Sequence, residues 1–189
     1  ESVLITPHRY TPQYDQSEKT GIYCVQFVYF RNNQQGRKVL TWWRKACLEW
    51  CYNRFEDGRF GDQKYLDDWP ERFEGVHVLQ HLGGGVAPWN MQQYRFEQQG
   101  KEIIGIELET EKQFPLVFYH FHSLVFVTPF YFSPRPYYKR NDSTIILLFN
   151  PYVKEIVKLR KQYALGKMEH YLSGWKFFKY LAEVFVRRG

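Results

Sequence analysis

Apolar and polar positions along the chain alternate between two periods, and the changes of period mark the elements. Val3-Leu4-Ile5-Thr6 is a short, partly β-branched apolar run stopped by Pro7, which predicts a buried strand. After a polar stretch over 10–20, Gly21 to Phe30 (GIYCVQFVYF) is a nearly continuous β-forming run, closed by Arg31-Asn32-Asn33 and Gly36. Being apolar on both faces, it is expected at the centre of a sheet. From Lys38 to Tyr52 the period lengthens. Val39, Leu40, Trp43, Ala46, Cys47, Trp50 and Cys51 recur mostly at spacings of three and four, as in an amphipathic helix, with Arg44, Lys45 and Glu49 on the other face.

The stretch Gly58–Trp69 (GRFGDQKYLDDW) follows. Gly58 and Gly61 permit turns that a Cβ resists, and Asp62-Gln63 stands before the apolar positions Tyr65, Leu66 and Trp69 of a short helix ended by Pro70. Residues 75–80 predict a short strand. It leads into His81-Leu82-Gly83-Gly84-Gly85-Val86-Ala87-Pro88-Trp89-Asn90, a glycine-rich loop whose backbone can approach a ligand. That loop lacks the Gly-Lys-Ser/Thr ending of a phosphate-binding loop. Residues 94–97 and 103–109 read as a hairpin. Phe114 to His122 reads as an apolar strand carrying His120 and His122 on one face at its end. Residues 124–140 look irregular, and 145–149 a last strand or a lead-in to a helix. Asn150-Pro151 has the form of a helix cap with proline at the first position, and a second helical stretch is expected over 168–186.

Composition narrows the class. The 189 residues suit one domain or a piece of a larger one; 44% are hydrophobic and 20% aromatic, which excludes a disordered chain. Tyr and Trp bring polar handles suited to pockets for sugars or bases. The net charge of +6 permits an anionic partner without choosing one. Three cysteines cannot make a disulfide framework. Cys47 and Cys51 lack companions for a zinc set and read as small buried hydrophobes, which favours a reducing cytoplasm. The apolar runs at 115–121 and 124–132 fall short of the roughly 20 residues of a membrane span. The chain opens on ESVLITPHRY without an initiating Met, so a fragment is expected.

Several residues stand where chemistry could be done. His8 and Arg9 end the first strand, and ligands of open α/β sheets gather at carboxyl ends of strands. An ordinary loop histidine and surface arginine satisfy the same pattern. Asp62 is either the N-cap of its helix or, with Gln63, a donor and acceptor for a polar ligand. His120 and His122 make either a metal half-site or a pair of half-buried histidines. Glu107 and Glu109 fit a solvated face better than a metal pair.

Taken in order, Gly61-Asp62-Gln63-Lys64-Tyr65-Leu66-Asp67, Trp89-Asn90 and His120-Phe121-His122-Ser123 resemble motifs in the second half of nucleotide-diphospho-sugar transferases of the GT-A type. The resemblance covers roughly residues 1–125. It implies a mixed α/β fold with a sheet flanked by helices, an acceptor-side portion expected over 1–149 without its nucleotide-binding half. It leaves unexplained the helical extension that the periodicity predicts over 150–189. It implies transfer of a sugar from a nucleotide-diphosphate donor to a carbohydrate or lipid-linked acceptor. Asp62 and Gln63 would stand at the reacting sugar, and His8, Arg9, Gly84, Trp89 and Asn90 would contact substrate. His120, with His122 beside it, would ligate Mn²⁺ or Mg²⁺. Three departures stand out. No Asp-x-Asp occurs, so that motif is expected upstream of Glu1. Cys24 and Gln26 replace the usual Asn and Gly, and Ser123 replaces the glycine after the final His. Two other classes remain: a non-catalytic carbohydrate-binding domain, and a nucleic-acid module, which the lack of a recognition signature ranks last. The basic C-terminal helices suit a peripheral membrane contact, in a protein otherwise expected in the cytoplasm.

Overall fold

The computed structural model describes residues 1–122, 124–128, 131–134 and 138–163. The chain is mixed α/β, with small sheets and flanking helices. It divides into two compact units, Glu1–Asn90 with Phe114–His120, and Met91–Gln113 with the chain from Phe121 onward. This division differs from the boundary expected at residue 149. The helix expected over 168–186 lies outside the described residues.

In the first unit, strand β1 (Val3–Pro7) lies between β2 (Tyr23–Phe30) and β3 (Val76–Val78), antiparallel to β2 and parallel to β3. The expectation that residues 21–30 form the central strand is therefore corrected: β2 is at the edge of this sheet. Phe27 and Tyr29 are each 48% exposed, so the run that reads as apolar on both faces keeps aromatic rings at the surface. A one-turn helix α1 (Ser17–Thr20) precedes β2, and helix α2 (Gln34–Glu49) follows it. The α2 helix starts earlier than its apolar period because the Asn33 side chain accepts from the Gly36 N–H at 2.8 Å, a standard N-cap. Its inner face joins Val3, Ile5, Val39, Leu66, Trp69 and Phe73 in the core. Trp69 is fully buried, with Trp42, Trp43 and Phe73 set edge-on around it. Rings in that geometry attract one another beyond the area they bury.

The stretch after α2 also departs from expectation. Asp62 caps no α-helix; the chain makes a 3₁₀ turn over Lys64–Leu66 and then a short helix α3 (Trp69–Arg72). Pro70 lies in the first turn of α3 instead of ending a helix, a position where its missing N–H costs nothing.

The second unit holds the hairpin of β4 (Tyr94–Gln99) and β5 (Glu102–Glu107), as predicted, turning at Gly100 with φ of 61°. Strand β6 is only Gln113–Pro115, so the strand expected to reach His122 stops early. The stretch read as irregular contains a second hairpin, β7 (Leu124–Thr128) with β8 (Tyr131–Pro134). Helix α4 (Asp142–Thr144) passes through a π-helical turn (Ile145–Phe149) into α5 (Asn150–Gln162). Asn150-Pro151 is thus internal, and the cap is Asn141, which accepts from the Thr144 N–H at 2.9 Å. The π-turn sits where Pro151 would otherwise leave a helical carbonyl without its donor. The Asn141 amide also donates to the Tyr94 carbonyl at 3.0 Å, and Phe121 stacks on Tyr152 with centroids 3.8 Å apart. Among the described residues no helix is long and apolar enough to cross a membrane.

Candidate functional site

The site grows from the end of β1. The His8 N–H still pairs with the Ile22 carbonyl at 3.0 Å, and then Arg9 takes a left-handed conformation, φ 48°. Such a turn is uncommon for a residue with a Cβ. It sets the rings of His8 and Tyr10 face to face, 4.6 Å between centroids and 13° from parallel. The Arg9 guanidinium donates to the Leu79 carbonyl at the end of β3. Arg9 is therefore anchored within the fold.

Loop 83–90 is buried throughout, and Asn90 knits it together. Its side-chain oxygen accepts from the Ala87 N–H at 2.9 Å, and its amide donates to Gly85 O at 2.9 Å and His8 O at 2.8 Å. The Trp89 indole N–H donates to the same His8 oxygen at 3.0 Å. The glycines permit this closeness. A Cβ on Gly83 would stand 2.0 Å from the Pro115 carbonyl oxygen, and one on Gly84 2.6 Å from Leu79. Gly84 thus acts through packing on Leu79.

His120 is fixed to the same loop. Its N–H donates to Val86 O at 2.9 Å, Tyr119 bridges Val86, and its ring lies 5.3 Å from that of Trp89. Trp89 also meets His8 edge-on at 5.3 Å. Burial pushes the His8 imidazole down to about 4, against hydrogen bonds with the Ile22 and Gly21 backbone; His120 adds a smaller push in the same direction. His8 is therefore neutral at physiological pH.

Gln63 connects to this cluster through α1. The Gln63 amide donates to Thr20 O at 2.9 Å, and the Thr20 hydroxyl hydrogen-bonds the Tyr10 hydroxyl at 2.8 Å. A continuous path thus runs from Gln63 through Thr20 and Tyr10 to His8, Trp89 and His120. The Asp62 carbonyl accepts from the Trp43 indole at 2.9 Å. Its carboxylate reinforces the burial that raises Cys24 to about 11 and Cys47 to about 12.

His122 is exposed in a turn, and the strand that would aim both imidazoles the same way ends at Pro115. Among the described residues no group of three or more His, Cys, Asp and Glu side chains gathers to hold a metal ion. His120 could offer one ligand. The described residues do not complete a set.

Tyr10 and Thr20 escape the sequence reading, and Gln26 enters it only as a departure from the family motif. Tyr10 is two positions beyond His8, a repeat that would have flagged it; Thr20 carries no such signal. Gln26 has both ends of its amide buried without a hydrogen-bond partner among the described residues. It stands beside Gly85, where a Cβ would lie 3.3 Å from its nitrogen and 3.2 Å from Arg9 Nη1. A buried amide in that condition is costly unless something pairs with it.

The chain is similar to the uncharacterized protein YfnD of Bacillus subtilis (strain 168), 33% identical over 156 residues, which cover 80% of this chain and 48% of that protein. It is also similar to the uncharacterized protein YfnF of the same organism, 34% identical over 119 residues, covering 62% of this chain and 38% of that one. The chain spans about half the length of the first of these curated relatives and less of the second. No family model matches the chain, and no solved structure matches it.

Proposed function

We propose that this chain is the acceptor-side portion of a glycosyltransferase that moves a sugar from a nucleotide-diphosphate donor to a carbohydrate or lipid-linked acceptor. The observation that carries the reading is the cluster in which Trp89 and Asn90 hydrogen-bond the His8 carbonyl and the His120 ring lies against Trp89, with Gln63 tied to it through Thr20 and Tyr10. Gln63, Trp89, Asn90 and His120 are among the residues whose order resembles the GT-A motifs. Polar groups converging among aromatic rings are what a sugar requires: rings cover its apolar face while amides and hydroxyls meet its alcohols. The unpaired Gln26 amide offers one donor and one acceptor to such an alcohol.

In this proposal Asp62 accepts a proton from the attacking hydroxyl or holds donor hydroxyls, and Gln63 stands close to the reacting carbon. Mn²⁺ or Mg²⁺ would neutralise the diphosphate leaving group. His120 would supply one of its ligands, and the others would come from outside the described residues. The basic residues of α5 suit a peripheral contact with an anionic membrane that presents a lipid-linked acceptor.

The test is release of nucleotide from a panel of nucleotide sugars by this chain together with the nucleotide-binding half that the reading requires, with and without Mn²⁺. One sugar donor should be cleaved only with metal, and His120→Ala should abolish that turnover. Turnover that survives His120→Ala contradicts the assigned ligand. Sugar binding without any release would support the non-catalytic carbohydrate-binding reading, which the Gln26 amide also fits.

A further inference from the structure

A second group of aromatic and polar side chains lies apart from the cluster around His8. Trp42, Lys45, Ala46 and Glu49 recur at spacings of three and four along α2, so they share one face. With Trp50, Arg59 and Tyr65 they line a cleft of about 300 Å³. Trp42 and Tyr65 also line a neighbouring cleft of about 330 Å³, whose rim carries Lys64, Asp67, Asp68 and Arg72. Their rings stand edge-on, 6.1 Å between centroids, as a wall common to both. Arg59 is placed by a tight turn. Asp57 and Gly58 take positive φ, 49° and 73°, and Glu56 and Arg59 exchange N–H···O bonds at 3.0 and 2.9 Å. The Arg59 guanidinium then lies over the Trp50 ring at 4.8 Å, with Nη2 on the Asp57 carboxylate at 3.2 Å. Its Nε is buried and has no hydrogen-bond partner among the described residues. A buried donor in that condition is costly unless something accepts from it.

We propose that the two clefts are consecutive subsites for a neutral, β-linked oligosaccharide of the β-1,4-glucan type. Charge argues for a neutral ligand, because each cation at the rims already has a carboxylate beside it. Lys45 lies 3.8 Å from Glu49, Lys64 lies 2.8 Å from Asp67, and Arg72 pairs with Asp68 as Arg59 does with Asp57. An anionic chain would have to compete for cations that are already paired. Each pair instead sets a donor next to an acceptor, which is what a sugar hydroxyl uses, since it both accepts and donates. The all-equatorial hydroxyls of a β-glucan point outward to such rims and leave the ring faces apolar for an aromatic wall. The Arg59 Nε supplies a donor to one hydroxyl. Two clefts of similar volume with a common wall suit a ligand of repeating units. Each volume is at the lower end of the range for small-ligand pockets. The proposal does not rest on the transferase reading, and none of the residues lining the clefts belongs to the cluster that carries it.

The experiment is isothermal titration calorimetry of this chain with cellotetraose and with cellobiose. The tetrasaccharide should bind about tenfold or more tighter than the disaccharide, because its second half fills the second cleft intramolecularly. Arg59→Met keeps an apolar stem over Trp50 and removes the donors, and should weaken cellotetraose about tenfold. Arg72→Met should weaken it to a similar degree from the second cleft. Thermal midpoints close to that of the native chain would show that both variants fold, as expected for side chains 36% and 44% exposed. Three results would overturn the proposal. The first is no heat of binding with millimolar cellotetraose, or equal affinity for the two sugars. The second is binding that survives both arginine substitutions, which would place the sugar at the cluster around His8. The third is tighter binding of tetragalacturonate, weakened by added salt, which would mark a ligand chosen by charge. None of these readouts depends on sugar transfer.

Discussion

The side-chain amide of Asn90 donates to the main-chain carbonyl of His8 at 2.8 Å, across 82 positions of sequence. That bond, with the Trp89 indole on the same oxygen, holds the glycine loop against the end of β1.

Asn90→Ala is therefore expected to destabilise the chain by about 3 kcal/mol, since it removes the side-chain partner of the buried Ala87 N–H and Gly85 carbonyl and one of two donors to the His8 carbonyl. Urea unfolding should show a lower midpoint at unchanged slope. A change within about 0.5 kcal/mol, the range of neutral surface substitutions, would contradict this assignment.

His8 supplies a pH dependence of known sign. Its folded pKa is depressed from 6.5 to about 4, with burial the main cause and His120 and Asp15 acting in opposite directions. The unfolded chain binds the extra proton first, so the stability from neutral His8 is complete above pH 6.5 and declines as pH falls towards 4. The loss amounts to about 3 kcal/mol. His8→Phe keeps an aromatic ring against Tyr10 and Trp89, and its denaturation midpoints between those pH values should lack this slope. An equal slope in the variant would assign it to other groups.

Gly83→Ala should cost about 2–3 kcal/mol, because the added methyl meets the Pro115 carbonyl at 2.0 Å and the backbone must move. Gly58→Ala, with nothing within 4 Å of the new Cβ but φ of 73°, should cost about 1 kcal/mol from conformation alone. Paired thermal melts test the ranking, and a reversed order would show that packing does not govern the loop.

Trp43→Phe removes the donor to the Asp62 carbonyl at 2.9 Å and should cost about 1 kcal/mol of stability. Asp62→Asn should keep the fold while lowering sugar transfer about 100-fold or more, the usual size of a lost acid–base contribution. Near-native transfer by Asp62→Asn would remove Asp62 from the proposed chemistry.

Elements bounded by strong local chemistry were legible in the sequence. Pro7 closes β1 as expected, and the 94–107 hairpin forms around Gly100. The position of β2 was not legible, because Phe27 and Tyr29 are apolar by residue type yet surface-exposed, and only the fold decides which face is covered. The extent of strand 114–122 failed for a similar reason: after Pro115 the backbone of Val117, Phe118 and His120 bonds to Gly83 and Val86 of the loop. At the site, His8, Arg9, Trp89, Asn90 and His120 all belong to one cluster. The atoms that join Asp62-Gln63 to it are those of Thr20 and Tyr10, in a segment whose polar composition reads only as loop. The unpaired amide of Gln26 is visible only where β2 meets Gly85.

The most direct measurement of the transferase reading is the thermal midpoint of this chain, joined to the nucleotide-binding half that the reading requires, titrated with Mn²⁺, alone and together with UDP or GDP. A ligand that binds only the folded state stabilises by about 2.7 kcal/mol at a hundredfold excess over its Kd, a rise of a few degrees for a protein of that length. The account predicts such a rise with one nucleotide, only when the metal is present, and its loss in His120→Ala. An unchanged midpoint with every nucleotide and metal, or an equal rise in His120→Ala, would contradict it.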